Sequence, residues 1–514
     1  MAPYRLSFGR AAYGSAFPLK TKNRSIRKEK CLYWRRSECF RFSRQSGPAL
    51  PGGRARHRQT IRIVLIRTGH GGNMSSTADS KKPFGNLFSR LSGGPDVGRA
   101  VIAAHGEAIG HGALPDPRAS LHEAAQLALQ VEFTTIPPYL TALYSIADPA
   151  SDAYQALRSV VVEEMFHLNQ AANLLVAIGG TPKFTGTAVP EYPCFLPHSN
   201  PDRMPFIGLN RASPDVFEKT FAAIETPAPP HAPAQGNQYD TIAQLYDALK
   251  EGMKRYLSRH PDGPPLFQQA PDMRQRTDIY LGKFGGKAVR VSDIKTAEYG
   301  ITQIEQQGEG SILDGQSMIT DSPWGAYNHY GQRTDGTYGP ILGTPYEMSH
   351  FRKFRAVALD VANFPATRPI TSNPRRQDYS NETALKLAEA FDIAYSIMLD
   401  ALEKSFTDTP NGPDPFFALA LPLMHHVMPK LALSLMTTPM HANGNGSVGP
   451  NAAPTYQYRP GCTLAMLERQ RAHALQAASG VTDRAERADL TAVLDDVRTD
   501  IVELSEAADQ PLSS

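Results

Sequence analysis

An all-α fold, a helix bundle with long Pro/Gly-rich loops and additional C-terminal helices, is predicted by three features of the sequence. From Leu121 onward, apolar residues recur at three- and four-residue spacing over most segments. Strand-type alternation is scarce, KAVRVS at 287–292 being the clearest instance. The stretches between helical segments are dense in proline and glycine, which number 42 and 40 in the 514 residues and act as helix punctuation. No internal repeat at a fixed period is present.

The elements follow in order. LHEAAQLALQVEFTTIPPYLTALYSI (121–146) reads as a long helix broken at Pro137-Pro138. DAYQALRSVVVEEMFHLNQAANLLVAIGG (152–180) is a second, stopped by Gly179-Gly180. After a proline-rich loop, SPDVFEKTFAAIETP opens with Ser213 as N-cap and Pro214 in the first turn. TIAQLYDALKEGMKRYL and SDIKTAEYGITQIEQQGEG are helical. PYEMSHFRKFRAVALDV begins another helix after a loop of Gly, Tyr and Asp (310–344). Further helices are expected at 382–407, 414–436 and, polar and heptad-like, 464–508.

Charge divides the chain. The net +3 hides a basic leader: residues 1–73 contain 17 Lys and Arg against 2 Glu, or +15, leaving −12 for the remainder. A translated upstream region, a presequence and a nucleic-acid-binding arm are three readings of this leader. The first is favoured, because MSSTADSKKPFG (74–85) looks like a natural polar start. The expected organisation is therefore a leader outside the folded protein (1–73), a flexible lead-in (74–117), the main helical domain (118–458) and a C-terminal helical extension (459–514). IRIVLI is far too short to span a bilayer, so a soluble protein is expected. Of 4 cysteines, Cys31 and Cys39 lie in the leader. Cys194 and Cys462 have neither metal nor redox spacing, which makes a reducing cytoplasm the default.

Acidic residues and histidines fall on apolar stripes where hydrocarbon is expected. Rotating 100° per residue places Glu164 and His167 with Val160, Leu168, Ala171, Leu174 and Leu175, and Glu163 at the stripe's edge, either solvated or an outer partner. Glu132 shares a face with Ala125, Ala128, Leu129, Ile136, Tyr139 and Leu143. Glu305 lies with Ile294, Ala297 and Ile301. Glu347 and His350 lie with Phe351, Phe354 and Ala358. An unpaired charge in such places costs several kcal/mol, roughly, unless compensated.

The order Glu132, Glu164-x-x-His167, Glu305, Glu347-x-x-His350 is what two metals in a four-helix bundle require: one Glu from each of two helices and a Glu-x-x-His pair from each of two others. The i,i+3 spacing puts carboxylate and imidazole one turn apart on one face. Four carboxylates offset two divalent metals, and imidazole suits iron, manganese or zinc. Either Glu-x-x-His alone is weak; two pairs, each preceded by an inward glutamate, are harder to obtain accidentally. Rival roles remain. Glu164 and His167 could be a buried pair bonding only each other. Thr344 and Glu347 fit a capping box. Glu309, one turn on, and Glu298, two turns back, compete with Glu305, which is preferred because Gly308 and Gly310 should end the helix around Glu309. Tyr139 reads as a core residue, His425 and His426 as structural, and His122, His198 and His329 lack support from spacing.

EFTTIPPYLTALYSI, RSVVVEEMFHLNQAANLLVAIGG, ITQIEQQGEG and YEMSHFRKF resemble the ferritin-like domain of the iminophenyl-pyruvate dimer synthase family, found in enzymes of bis-indole pigment and alkaloid biosynthesis. The likeness runs from about Leu121 to about Tyr458 and includes FDIAYSIMLDALEKSF. It implies a ferritin-like four-helix bundle and supports Glu132, Glu164, His167, Glu305, Glu347 and His350 as its metal ligands and catalytic centre.

The expected function is a dimetal oxidoreductase. It would hold two iron ions, or manganese with iron, and use dioxygen on a small organic substrate, an amino-acid-derived amine or imine in secondary metabolism. The loop at 310–344 would be a lid. Dioxygen and a small molecule are the expected partners, without nucleic acid or membrane, and a homo-oligomer is left open. Metal sequestration without an organic substrate and a metal-free interaction protein are the alternatives.

Overall fold

The computed structural model describes residues 117–279, 287–310, 348–407, 412–510 and 512. The leader, the lead-in as far as Asp116, and most of the expected lid, with His329, Thr344 and Glu347, lie outside the described residues. All described residues fall within one unit, Ile109–Ser514. Among them the fold is all-α: helices account for the regular structure, and pairing is limited to isolated bridges such as Cys194 with Ile207.

Two helices form the central hairpin, α1 (Ala119–Ser145) and α2 (Asp152–Ala177). The expected break at Pro137-Pro138 does not occur; α1 runs straight through both prolines. Pro138 has no N–H for the carbonyl of Thr134, four residues back. The Tyr192 hydroxyl donates to that carbonyl instead, at 2.8 Å. Thr141 returns a hydroxyl bond to the Pro137 carbonyl, also 2.8 Å. In α2, Ser151 caps the first turn and Asp152 opens it, suiting the positive end of the helix. The stop is at Gly179, whose φ of +91° few side-chain-bearing residues adopt, and the Gly180 N–H closes onto Leu175.

Around one face of this hairpin lie four segments. Helical segment α3 (214–224) starts on the Ser213 cap with Pro214 in its first turn and contains a π turn at Phe217–Phe221. Next come α4 (Ile242–Arg259, capped by Thr241), α5 (Ile294–Gln307, with an Asp293/Thr296 capping box) and α6 (His350–Leu359, capped by Ser349). One apolar core joins α1 and α2 to these four. A second core covers the hairpin's other side, where Leu129, Phe133, Ile136, Leu168 and Ala172 meet α7 (Glu382–Lys404) and the helices after it. The hairpin is thus buried on both sides.

The KAVRVS segment is extended, yet its partners are side chains rather than a second strand. The N–H and C=O of Lys287, Val289 and Val291 bond the amides of Gln303, Gln170 and Gln275 respectively, at 2.7–3.4 Å. Each glutamine substitutes for a neighbouring peptide group, which satisfies the buried backbone without a ladder. Gly300 makes room for this clamp, since a Cβ there would stand 2.5 Å from Gln170 Nε2.

Helix α8 (Phe416–Thr437) carries two π turns, Phe416–Ala420 and Leu423–Val427, as is expected where Pro422 and Pro429 remove N–H donors. Among the described residues it alone is long and apolar enough to cross a membrane, and half of its apolar window is buried in the fold. The expected single helix at 464–508 is two, α9 (Leu464–Ala478) and α10 (Arg484–Ala507). Gly480 ends one and Asp483 caps the next by accepting from the N–H groups of Ala485 and Glu486. Leu467, Leu494, Val497 and Ile501 join the core around α7.

Replacing Tyr192 by Phe leaves the Thr134 carbonyl without its donor. Tyr192→Phe is expected to lower stability by roughly 1–3 kcal/mol in chemical denaturation; an unchanged midpoint would show that the prolines need no such compensation.

Candidate metal centre

The centre is built on Glu164, which α2 places facing both α1 and α6. Thr135, one turn past Glu132 on α1, donates its hydroxyl to Glu164 Oε2 at 2.8 Å. This leaves Oε1 between two imidazoles: 2.8 Å from His350 Nδ1 and 3.8 Å from His167 Nδ1. The two rings are stacked, with centroids 5.3 Å apart. Ligand atoms of Glu164, His167 and His350 all lie within 4.8 Å of one another, and all three residues are buried.

Two further carboxylates complete a paired arrangement. Glu132 Oε2 stands 3.6 Å from His167 Nδ1, while its Oε1 accepts from the Tyr246 hydroxyl at 2.7 Å. Glu225 Oε1 stands 3.6 Å from His350 Nδ1 and accepts from the Tyr139 hydroxyl at 2.8 Å. Each half therefore has one histidine, one terminal glutamate and one tyrosine donor, and the halves share Glu164.

Both histidines use Nε2 to bond outward. His167 Nε2 bonds Gln307 Oε1 at 3.0 Å, and His350 Nε2 donates to Glu163 Oε2 at 2.9 Å. Glu163 also accepts from Lys353 of α6. Burial works against the Glu163 carboxylate, but Lys353 and His350 outweigh it and hold its pKa below the ordinary range.

In the same way burial opposes charge on His350, and Glu163, Glu164 and Glu225 more than reverse this, lifting its pKa well above the ordinary value. His167 is raised against burial by Glu132 and Glu164. Glu164 is pushed up to about 7 by burial and by Glu225, with His350 pulling the other way. Burial first, then nearby carboxylates, keeps the Tyr139 and Tyr246 hydroxyls protonated and able to donate.

Of the six expected ligands, the structure brings together Glu132, Glu164, His167 and His350. Glu347 lies outside the described residues, and the helix bearing His350 begins at His350 itself, with Ser349 rather than Thr344 as its cap. Glu305 is not brought into the cluster: both its oxygens accept from Lys250 of α4, at 2.8 and 3.0 Å. Its rival Glu309 is buried but takes backbone N–H bonds from Ala228 and Ala243.

Glu225, absent from the expected set, stands beside His350 in the cluster instead. It was overlooked although it sits four residues after Phe221 and eight after Phe217, so that the apolar stripe of α3 ends in a buried carboxylate. Glu163, at the stripe's edge, proves to be an outer partner. Tyr139, expected simply in the core, packs on Phe221 and Phe354 and also holds Glu225. His122 bonds the Ile178 carbonyl, a structural role.

The donor set fits metal ions. His350 Nδ1 is buried without a hydrogen-bond partner, although Glu164 Oε1 is within ion-pair distance. With Nε2 donating to Glu163, the Nδ1 lone pair faces an anionic oxygen. Such a contact requires positive charge between the two, from a proton or a metal ion. Two imidazoles and three carboxylates are suitable ligands for iron, manganese or zinc.

Protons would take that part in metal-free protein. A carboxyl with a folded pKa raised from 4.5 to about 7 is more stable folded at low pH, and that advantage is lost as pH rises through this window. His167 and His350, raised above 6.5, likewise contribute stability that fades as pH rises through their folded values. Chelator-treated protein is therefore expected to lose thermal stability from about pH 5 to about pH 7. A melting temperature rising over that range would contradict this protonation pattern.

Residues 125–358 match the family model described as Ferritin-like. Among solved structures, a ferritin-like protein from Caulobacter vibrioides is similar at 20% identity and a TM-score of 0.43, covering 66% of this chain and 98% of that one. No curated protein matches the chain. Over residues 125–358, which hold every member of the cluster just described, this all-α protein carries a ferritin-like domain.

Proposed function

We propose that this domain is a di-iron oxidoreductase that uses dioxygen to oxidise a small organic substrate. The observation that carries the proposal is the pairing of two half-sites, Glu132 with His167 and Glu225 with His350, about a shared Glu164. A ferrous pair held there would supply electrons to dioxygen and pass oxidising equivalents to the substrate. Manganese in one position would suit the same donors.

The chain's own residues have distinct parts. Thr135 holds one oxygen of Glu164 and leaves the other for both halves. Tyr246 and Tyr139 anchor the terminal glutamates by hydroxyl bonds, and Gln307 and Glu163 set the ring orientations of His167 and His350. The buried surroundings keep bulk water from the carboxylates, which strengthens their hold on cations. An amino-acid-derived amine or imine is the proposed substrate class, supported by the likeness of IPPYLTALYSI and IEQQGEG to the iminophenyl-pyruvate dimer synthase family.

Protein loaded with Fe(II) without oxygen should develop a ferric absorption band on exposure to air, and a spectrally silent sample would overturn the oxidase reading. The combined variant Glu164→Ala, His167→Ala should hold fewer than about one metal per chain by elemental analysis.

Glu225→Ala is expected to lower metal content, whereas Glu305→Ala should keep it and lose only its Lys250 ion pair. The opposite result would restore Glu305 as the ligand.

A further inference from the structure

Among the described residues the two half-sites have the same inner residue types, one histidine and one tyrosine-anchored glutamate about Glu164, with Glu164 Oε1 nearer His350 Nδ1 (2.8 Å) than His167 Nδ1 (3.8 Å), and they differ in what lies behind the imidazoles. His167 is backed by the neutral amide of Gln307, His350 by the carboxylate of Glu163. That carboxylate is only 3% exposed and also accepts from the Lys353 ammonium of α6, so one cation and one imidazole N–H meet on it. A carboxylate accepting the Nε2 proton draws the imidazole toward imidazolate and makes Nδ1 the stronger donor. An amide oxygen does so much less.

We propose that the centre is built to load unequally, with Glu163 acting as a positioning residue that makes the His350 half the tighter and first-filled metal site. The inference rests on the two-metal reading above. Removing an outer partner of a metal-bound histidine typically changes affinity by roughly 10–100-fold, so a difference of that order between the two binding steps is expected. The tyrosine-anchored terminal glutamates do not offset it, since Tyr139 and Tyr246 serve the two sides alike.

Co(II) is the probe, titrated into the full chain and followed by its visible absorption. Wild type should take up two ions in two resolved steps. In crystals at less than one equivalent, anomalous scattering should place the ion beside His350 Nδ1. The paired variant Glu163→Gln, Lys353→Met gives His350 an amide like the one behind His167 without leaving a lone buried ammonium. It should weaken the first step by roughly 10–100-fold and merge it with the second.

Gln307→Glu, made separately, should tighten the second step, and it keeps the test decisive if the paired variant does not fold. The proposal is overturned if the first ion sits beside His167, or if both folded variants leave the spacing of the steps unchanged. Wild type taking up no Co(II), or only one ion, would instead remove the two-metal reading itself and the inference with it.

Discussion

The buried polar cluster of this fold depends on one oxygen. Glu164 Oε1 lies buried between the Nδ1 atoms of two histidines, and an uncompensated charge there would cost several kcal/mol, roughly. The surrounding elements can be understood as the means of keeping that carboxylate both buried and partnered. Helix α1 supplies Thr135 to hold its other oxygen and Glu132 for one imidazole; Glu225, the residue that caps the end of α3, stands by the other. Helix α4 adds Tyr246, and α6 brings His350 with Lys353 three residues on, one facing Glu164 and both bonded to Glu163.

Burying so many polar groups requires a rigid frame. The α1–α2 hairpin provides it by lying between two apolar cores. Its polar content is satisfied by groups from elsewhere in the chain: Tyr192 replaces the donor that Pro138 lacks, and Gln170 of α2 joins Gln275 and Gln303 in holding an extended segment without a sheet. Two prolines in a helix and a strand-like run in an all-α protein are both compatible with a dense interior for this reason.

How far the centre was legible depended on whether a residue's partner was near in sequence. Glu164 and His167 are three apart on one stripe, so periodicity alone set them inward. Glu132 was legible because its apolar neighbours extend a full turn to each side. Glu305 has its apolar face-mates, Ile294, Ala297 and Ile301, on one side alone, and periodicity cannot register Lys250, 55 residues earlier, which bonds both its oxygens. Glu225 has such neighbours, Phe217 and Phe221, on one side alone, at the end of a segment with a π turn, where a uniform 100° rotation loses register. The single helix expected at 464–508 erred differently, because a heptad-like pattern continues across a short turn as readily as through a helix.

By itself, the sequence determined the helical class, the start of α3 through its Ser213 cap, and the inward aim of Glu132, Glu164, His167 and His350. These follow from local spacing and capping chemistry, which act over one or two turns. Only the tertiary structure decided which carboxylates share a pocket, since that depends on helices far apart in the chain meeting at one point. It paired Glu305 with Lys250 and brought Glu225 beside His350, turned the boundary residue Glu163 into the support for His350, and gave the two halves of the cluster different outer partners. VVVEEMFHLNQAANLL announces that charge will be buried; the fold determines what meets it.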